Sequence, residues 1–202
     1  LKTGFHQKTI TIHNQETAAE DEFFISAGGD LLRMYQMMKI DNPRFSATGK
    51  GSLSYYLHRL RGAENLILVH NTYTSVADLN RAIAFSPDLY FCLCPNANLY
   101  IENRLPDIPA MIKGNGNLVI GTDSLASNHQ LSVLEEMKTI KKHFPQTDTA
   151  MLLKWATSNG ARALRFDDKL GDFKKGKQPG IVLTEHPEND LLGSESSCRR
   201  LL

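Results

Sequence analysis

Thr9-Ile10-Thr11-Ile12-His13-Asn14-Gln15-Glu16 sets out four strand-forming residues, then a histidine, then a glutamate three places on. β-Branched residues in alternation fit a pleated, half-buried surface. In a barrel of parallel strands, chemistry gathers where the strands run out into loops. His13 and Glu16 therefore project into one pocket. Taken singly, an apolar run closed by His is more often a packed or edge histidine. Two later strands end in the same way, in His70 and in Asp123, and the repetition favours a shared site.

Working outward, the spacing predicts a helix from Glu16 to about Met38, broken at Gly28-Gly29, with Asp30 capping its second piece. A second helix opens at Ser52. Asn65 to His70 is apolar on both faces, as a parallel strand covered on both sides should be. Ser75-Val76-Ala77-Asp78 starts a helix in the manner of a capping box. Leu89–Cys94 and 117–122 read as the third and fourth strands. Ser127 or Asn128 opens a helix with Leu131, Leu134, Met137, Ile140 and Phe144 inward, and a last helix runs from about Asp148 to Leu164. Gly160 inside that helix predicts close packing, since Gly costs about 1 kcal/mol there relative to Ala. After Asp168 the texture changes to turns and short strands, and the tail beyond Glu185 is polar.

Strand and helix thus alternate through four rounds before a small β appendage. The organisation expected is residues 1–166 as a half-barrel carrying the metal and catalytic residues, and 167–202 as a C-terminal β segment with a polar tail. The chain enters a strand within a few residues of Leu1, like a fold entered halfway.

The 202 residues are 41% hydrophobic and 22% charged, with a formal net charge of +1. Nucleic-acid and membrane-surface partners generally show as a basic excess, which is absent. No apolar run approaches the ~20 residues needed to span a bilayer, and no signal peptide opens the chain. An odd cysteine count, Cys92, Cys94 and Cys198, argues against a disulfide framework and for a reducing, cytoplasmic setting. Cys92 and Cys94 read as structural thiols.

The residue types at the strand ends suit metal-assisted hydrolysis. A divalent ion takes neutral imidazoles and a carboxylate, keeps a position for water, and needs a nearby group to move protons. His13 and Asp123 are the candidate ligands, Glu16 the general acid/base, and His70 the partner of the attacking water or developing oxyanion. The blander readings are a structural His70, an Asp123 that caps a helix with Ser124 and Ser127, and an exposed first-turn Glu16. His129 lies near the Asp123 tip; His6, His58, His143 and His186 read as surface or packing residues.

At these residues the sequence resembles the metal-dependent amidohydrolase superfamily, in particular its deaminase and chlorohydrolase branch. His13-Asn14-Gln15-Glu16 resembles the His-x-x-Glu at the tip of the family's fifth barrel strand. Leu68-Val69-His70 resembles the sixth-strand histidine, Cys94-Pro95-Asn96-Ala97-Asn98 the seventh-strand Cys-Pro-x-x-Asn, and Gly121-Thr122-Asp123-Ser124 the eighth-strand motif. Asn159-Gly160-Ala161 is similar to a motif of the last helix, and 170–183 to the closing strand of the family's β-sandwich, with Pro179-Gly180 where many relatives have Ala-Asp. The family's first-strand His-x-His pair has no counterpart.

The resemblance implies an α/β fold: the C-terminal half of a (β/α)8 TIM-type barrel, strands five to eight with their helices, plus a short β-sandwich segment. It implies catalytic Glu16, His70 and Asp123, metal ligands His13 and Asp123, and substrate-binding Asn98 and Ser124. The implied cofactor is a divalent metal, zinc first and iron or manganese next, absent or weakly held by this chain alone. The implied activity is hydrolytic deamination of an aminated purine-like heterocycle or nucleoside. Two alternatives stand beside it: a dechlorinating or amide-cleaving amidohydrolase, and a non-catalytic fragment or assembly module that binds no metal. The implied partners are a small-molecule substrate and a missing N-terminal half, or a second copy, covering the open barrel edges.

Overall fold

A computed structural model describes residues 9–186 and 190–201. Its centre is a four-stranded, wholly parallel sheet in the order β1 (Thr9–Asn14), β2 (Asn65–His70), β3 (Leu89–Leu93), β4 (Asn117–Ile120). Sequence order equals spatial order, so each connection is a crossover to the next neighbour. The register pairs His13 with Val69, Val69 with Cys92, and Cys92 with Val119. All four C-terminal tips therefore lie along one edge, where the pleat and the crossovers deliver their loops.

The two faces of the sheet differ. Ile10, Ile12, Leu66, Leu68, Leu89, Phe91, Leu93 and Leu118 pack towards the helices in the main core, with Leu79 of α4 (Val76–Phe85), Met111 of α6 (Ile108–Lys113), Ile140 of α7 (Val133–His143) and Leu152 of α8 (Thr149–Lys154). The other face carries a small cluster, Ile67, Tyr90, Val119 and Ala163, flanked by Val69 and Cys92. Thr11 and His13, on that face of β1, are exposed.

The predicted last helix is three pieces: α8, a π-helical turn Trp155–Asn159, and α9 (Gly160–Ala163). Side-chain amides dock it at the entry ends of the strands. Asn65 Nδ2 donates to the carbonyls of Arg162 and Ala163 at 2.8 Å each, and Asn159 Nδ2 to Leu118 O at 2.8 Å. Gly160 is not a close-packing glycine, because a Cβ there would meet nothing nearer than Trp155 O at 3.8 Å. The expectation of packing fails at that point.

Other departures have local causes. The helix after β4 starts at Val133, where the Ser132 hydroxyl accepts from Glu135 N; residues 124–132 are turn and loop, so Leu131 points outward. Pro95 opens a helix, α5 (Pro95–Glu102), because its fixed φ suits the first turn. The first long helix does break at Gly28-Gly29, into α1 (Ala18–Ser26) and α2 (Gly29–Met37), but Gly28 rather than Asp30 is the cap. The capping-box reading of Ser75 holds, its hydroxyl accepting from Asp78 N at 3.1 Å.

The tail is not merely polar chain. β6 (Ser197–Arg200) pairs antiparallel with β5 (Val182–Glu185), Leu192 is buried in the main core, and Lys138 Nζ donates to Ser196 O at 2.6 Å. Among the described residues, no helix is long and apolar enough to cross a membrane. Cys94 is buried, Cys92 half-buried and Cys198 exposed, all three as free thiols. His6 lies outside the described residues.

Candidate active site

The strand tips carry unusual backbone. Gln15, His70, Asn71 and Asp123 all have positive φ, at 46°, 73°, 58° and 56°. Non-glycine residues adopt that region rarely, His, Asn and Asp more readily than most, and it persists where surrounding contacts over-determine it. At His70 the consequence is direct. Strand alternation would send His70 to the helix side with Leu66 and Leu68, away from His13. The left-handed φ turns its side chain from that path, and the His13 and His70 rings meet edge to face with centroids 4.9 Å apart.

His70 is fully buried and held at one nitrogen. Its Nδ1 lies 2.8 Å from Asn98 Oδ1, and Asn98 Nδ2 faces the His70 carbonyl at 3.4 Å. The second contact orients the carboxamide so that its oxygen meets Nδ1. His70 therefore donates from Nδ1, and in the neutral ring the lone pair lies on Nε2. That Nε2 is buried without a hydrogen-bond partner among the described residues. Glu16 Oε1 lies 3.4 Å from it, not aligned as a hydrogen bond, so a proton or a cation between the two would draw them together. One ligand-capable atom each of His13, Glu16 and His70 falls within 4.8 Å of the others. Two imidazoles, one of whose nitrogens is buried without a partner, and a carboxylate are ligand types that suit a divalent transition metal nearby.

A polar network stands behind β1 and β2. Asn14 and Gln15, the two residues inside the His-x-x-Glu run, are buried. Asn14 Nδ2 donates to Asn71 Oδ1 at 2.9 Å and Asn14 Oδ1 accepts from Tyr56. Asn71 N donates to Asn14 O at 3.0 Å and Tyr73 N to Gln15 O at 2.9 Å, extending the strand pairing past the strand ends. Burial and the carboxylates of Glu20, Asp21 and Asp78 push the Tyr56 phenol well above its ordinary range, so it stays a donor. Sequence reasoning passed over Asn14, Gln15, Asn71 and Tyr56. The available signal was polar residues where an apolar strand should continue.

The β3 and β4 tips are arranged differently. Asp123 sits at the β4 tip, its carboxylate accepting from the Ser127 hydroxyl, and it is not a member of the His13–Glu16–His70 group. It does lie near enough to Cys94 and Glu136 to raise both electrostatically. Glu136 is a buried carboxylate accepting from Asn96 N at 2.9 Å and Asn128 Nδ2 at 2.6 Å, while the same Asn128 Nδ2 donates to Thr122 O at 2.8 Å. Burial raises its pKa above the usual 4.5, partly offset by those bonds. Gly121 is the residue that admits the sulfurs of β3: a Cβ would stand 2.8 Å from Cys92 Sγ and 3.3 Å from Cys94 Sγ. The neighbouring Cys92 sulfur, then burial, push the Cys94 thiol far up, so it is an inert, protonated thiol.

Of the two residues expected to bind substrate, Asn98 and Ser124, the first turns inward. It is buried and turned to His70, which makes it the residue that orients the imidazole. Ser124 is exposed beside Asp123, its hydroxyl accepting from Ala126 N at 3.2 Å. No helix cap forms at Asp123, which answers the blander reading of that residue. His129 packs edge to face on Tyr100, with centroids 5.9 Å apart.

Comparison with known proteins fits this geometry. A profile of the amidohydrolase family matches residues 5–197. The 5-methylthioadenosine/S-adenosylhomocysteine deaminase of Caldanaerobacter subterraneus is 32% identical over 113 residues, 50% of this chain and 26% of that protein. A crystal structure of an adenosine deaminase from Xanthomonas campestris with bound zinc superposes with a TM-score of 0.63 at 29% identity, over 85% of this chain and 36% of that one. Helicobacter pylori aminofutalosine deaminase shares the fold, with a TM-score of 0.68 at 22% identity over 84% of this chain and 41% of that one. The chain thus spans well under half the length of these relatives. With residues 5–197 of the chain matched by the profile, and the strands within them ordered and parallel, the chain belongs to the amidohydrolase family.

Proposed function

We propose that this chain is the catalytic C-terminal part of a metal-dependent hydrolase that deaminates an aminated purine-like heterocycle or nucleoside. Its four parallel strands serve as strands five to eight of an eight-stranded barrel, and 170–183 serves as closing strand of a β-sandwich. The exposed inner face at Thr11 and His13 supports the first part, since a covering half, or a second copy, would pack there. The deaminases named among the relatives support the substrate class.

The observation that carries the reading is the lone pair on His70 Nε2, buried without a partner, 3.4 Å from the Glu16 carboxylate and beside the His13 ring. His13 and Asp123 would hold a divalent cation, with zinc expected first, which supplies Lewis acidity towards water. Glu16 moves protons: its half-buried carboxylate takes one from the attacking water and delivers it to a ring nitrogen of the base. His70 Nε2 accepts a hydrogen bond from the attacking water, and Asn98, accepting from Nδ1, fixes the direction in which that nitrogen points. Asp123, steadied by Ser127, accepts the remaining proton of that water and gives it to the departing amine, which leaves as ammonia. Ser124, exposed at the β4 tip, lies where substrate would enter.

Glu16→Gln tests the assignment in the intact enzyme. Ammonia release from an adenosine-type nucleoside should fall on the order of 10²–10⁴-fold, with metal content unchanged. Full turnover by that variant would refute it.

A further inference from the structure

We infer that Gln15 is a positioning residue: its buried carboxamide, hydrogen-bonded between Asp21 and Asp78, fixes the left-handed turn that brings the Glu16 carboxylate back over His70. The inference rests on the proton-transfer role proposed for Glu16.

Gln15 is 1% exposed, and its φ is 46°. Its Nε2 donates to Asp21 Oδ2 at 3.0 Å and to Asp78 Oδ2 at 3.2 Å, while its Oε1 accepts from Thr74 Oγ1 at 2.9 Å. Each carboxylate is fixed in turn. Asp21 Oδ1 accepts from Ser52 N at 2.7 Å; Asp78 accepts from Ser75 Oγ at 2.9 Å and pairs with Arg81. Gln15 thereby ties the end of β1 to the first turns of α1, α3 (Ser52–Tyr56) and α4, and to the loop beyond β2.

The chemistry of the position is restrictive. Two carboxylate oxygens face one side of the group, so that side must donate; the Asn14 NH2 group, at 3.4 Å, and the Thr74 hydroxyl face the other, so that side must accept. A carboxamide does both, whereas a carboxylate would set a third negative charge against Asp21 and Asp78. Glu16 follows directly, and its backbone N–H is held by Glu20 Oε2 at 3.2 Å. A turn fixed on both sides of the residue leaves the Glu16 side chain few directions, and the observed one ends 3.4 Å from His70 Nε2.

The test uses Gln15→Met, which keeps length and volume but has neither donor nor acceptor. In the intact enzyme kcat should fall about 10–100-fold, as for loss of an outer-sphere partner, with KM within about twofold because misplacement of an acting group strikes the chemical step. A crystal structure of the variant should show Glu16 Oε1 withdrawn from His70 Nε2 beyond the present 3.4 Å. A second arm guards against misfolding. Gln15→Glu and Asp21→Asn should each lower kcat, while the pair combined exchanges donor for acceptor across the Asp21 bond and should raise kcat above that of either single variant, with Asp78 still opposing the new carboxylate. Unchanged kcat in Gln15→Met, with Glu16→Gln inactive, overturns the inference and leaves the proposed function standing. A double variant that melts with the wild type but stays as slow as its singles also overturns it. An active Glu16→Gln overturns both.

Discussion

The tips of β1 and β2 and the tips of β3 and β4 meet along one edge of one sheet, yet they are built by different means. At β1 and β2 the side chains of the site, His13, Glu16 and His70, already touch or nearly touch. They are held by neutral amides and hydroxyls: Asn98 on His70, and Asn14, Gln15, Asn71 and Thr74 behind them. At β3 and β4 the one functional carboxylate, Asp123, is steadied by Ser127. The shape around it comes from two sulfurs over a glycine and from a buried glutamate. One side fixes the tautomer and direction of reacting groups; the other fixes a loop. The contrast teaches that strand tips on one sheet edge do not require a shared support, and that loss of support should be felt as lost rate on one side and lost stability on the other.

The largest effect that can break this comparison is Asp123→Asn. If Asp123 both holds the ion and takes a proton, turnover should fall on the order of 10²–10⁴-fold, and zinc affinity measured by chelator competition should fall with it. A change in neither would leave the β4 tip outside the site. Next, Asn98→Ala should lower turnover by about 10–100-fold while thermal stability changes far less, because it releases the His70 tautomer. A loss of stability without a loss of rate would move Asn98 to the structural side.

On the β3–β4 side the order reverses. Gly121→Ala forces a methyl within 2.8 Å of Cys92 Sγ. Overpacking of this kind costs about 1–3 kcal/mol, readable as a lower denaturation midpoint. Glu136→Gln turns an NH2 group towards either Asn96 N or Asn128 Nδ2, leaving one donor facing another, and should cost a similar ~1–3 kcal/mol. The pH dependence sharpens this case. Burial raises the folded-state pKa of Glu136 above 4.5, so the folded state binds the extra proton. Its contribution is fully present below the unfolded value and is lost as pH rises through the folded one. Wild-type stability should carry that decline and Glu136→Gln should lack it, as denaturant melts across pH 4 to 8 would reveal.

How far the sequence spoke follows the same division. The strands were legible because Ile-Thr alternation and the apolar run 65–69 are period signals that survive without tertiary context. The groups at their ends were legible because strand termini are where loops begin. The His70 ring direction was not: alternation points it to the wrong face, and only a backbone angle of 73° corrects this. Gln15 and Asn14 were invisible as supports because their partners, Asp78 and Tyr56, lie 63 and 42 positions away. The contact of Asn98 with His70 was not legible for a simpler reason. A carboxamide at a strand exit suits a substrate and a histidine equally, and its direction depends on where α5 starts. Pairing of β6 with β5 escaped notice because its residues, Ser197 to Arg200, are exposed and carry no apolar pattern.

The claim on which all of this depends is that the strand tips share one ion. Anomalous diffraction at the zinc edge, from crystals of the zinc-loaded intact enzyme, tests it most directly. The predicted result is a single peak bonded to the His13 imidazole at about 2.0–2.1 Å and to the Asp123 carboxylate at about 2.0–2.2 Å, with Glu16 beyond bonding distance. A peak that omits both His13 and Asp123, or no peak at the strand tips, would contradict it.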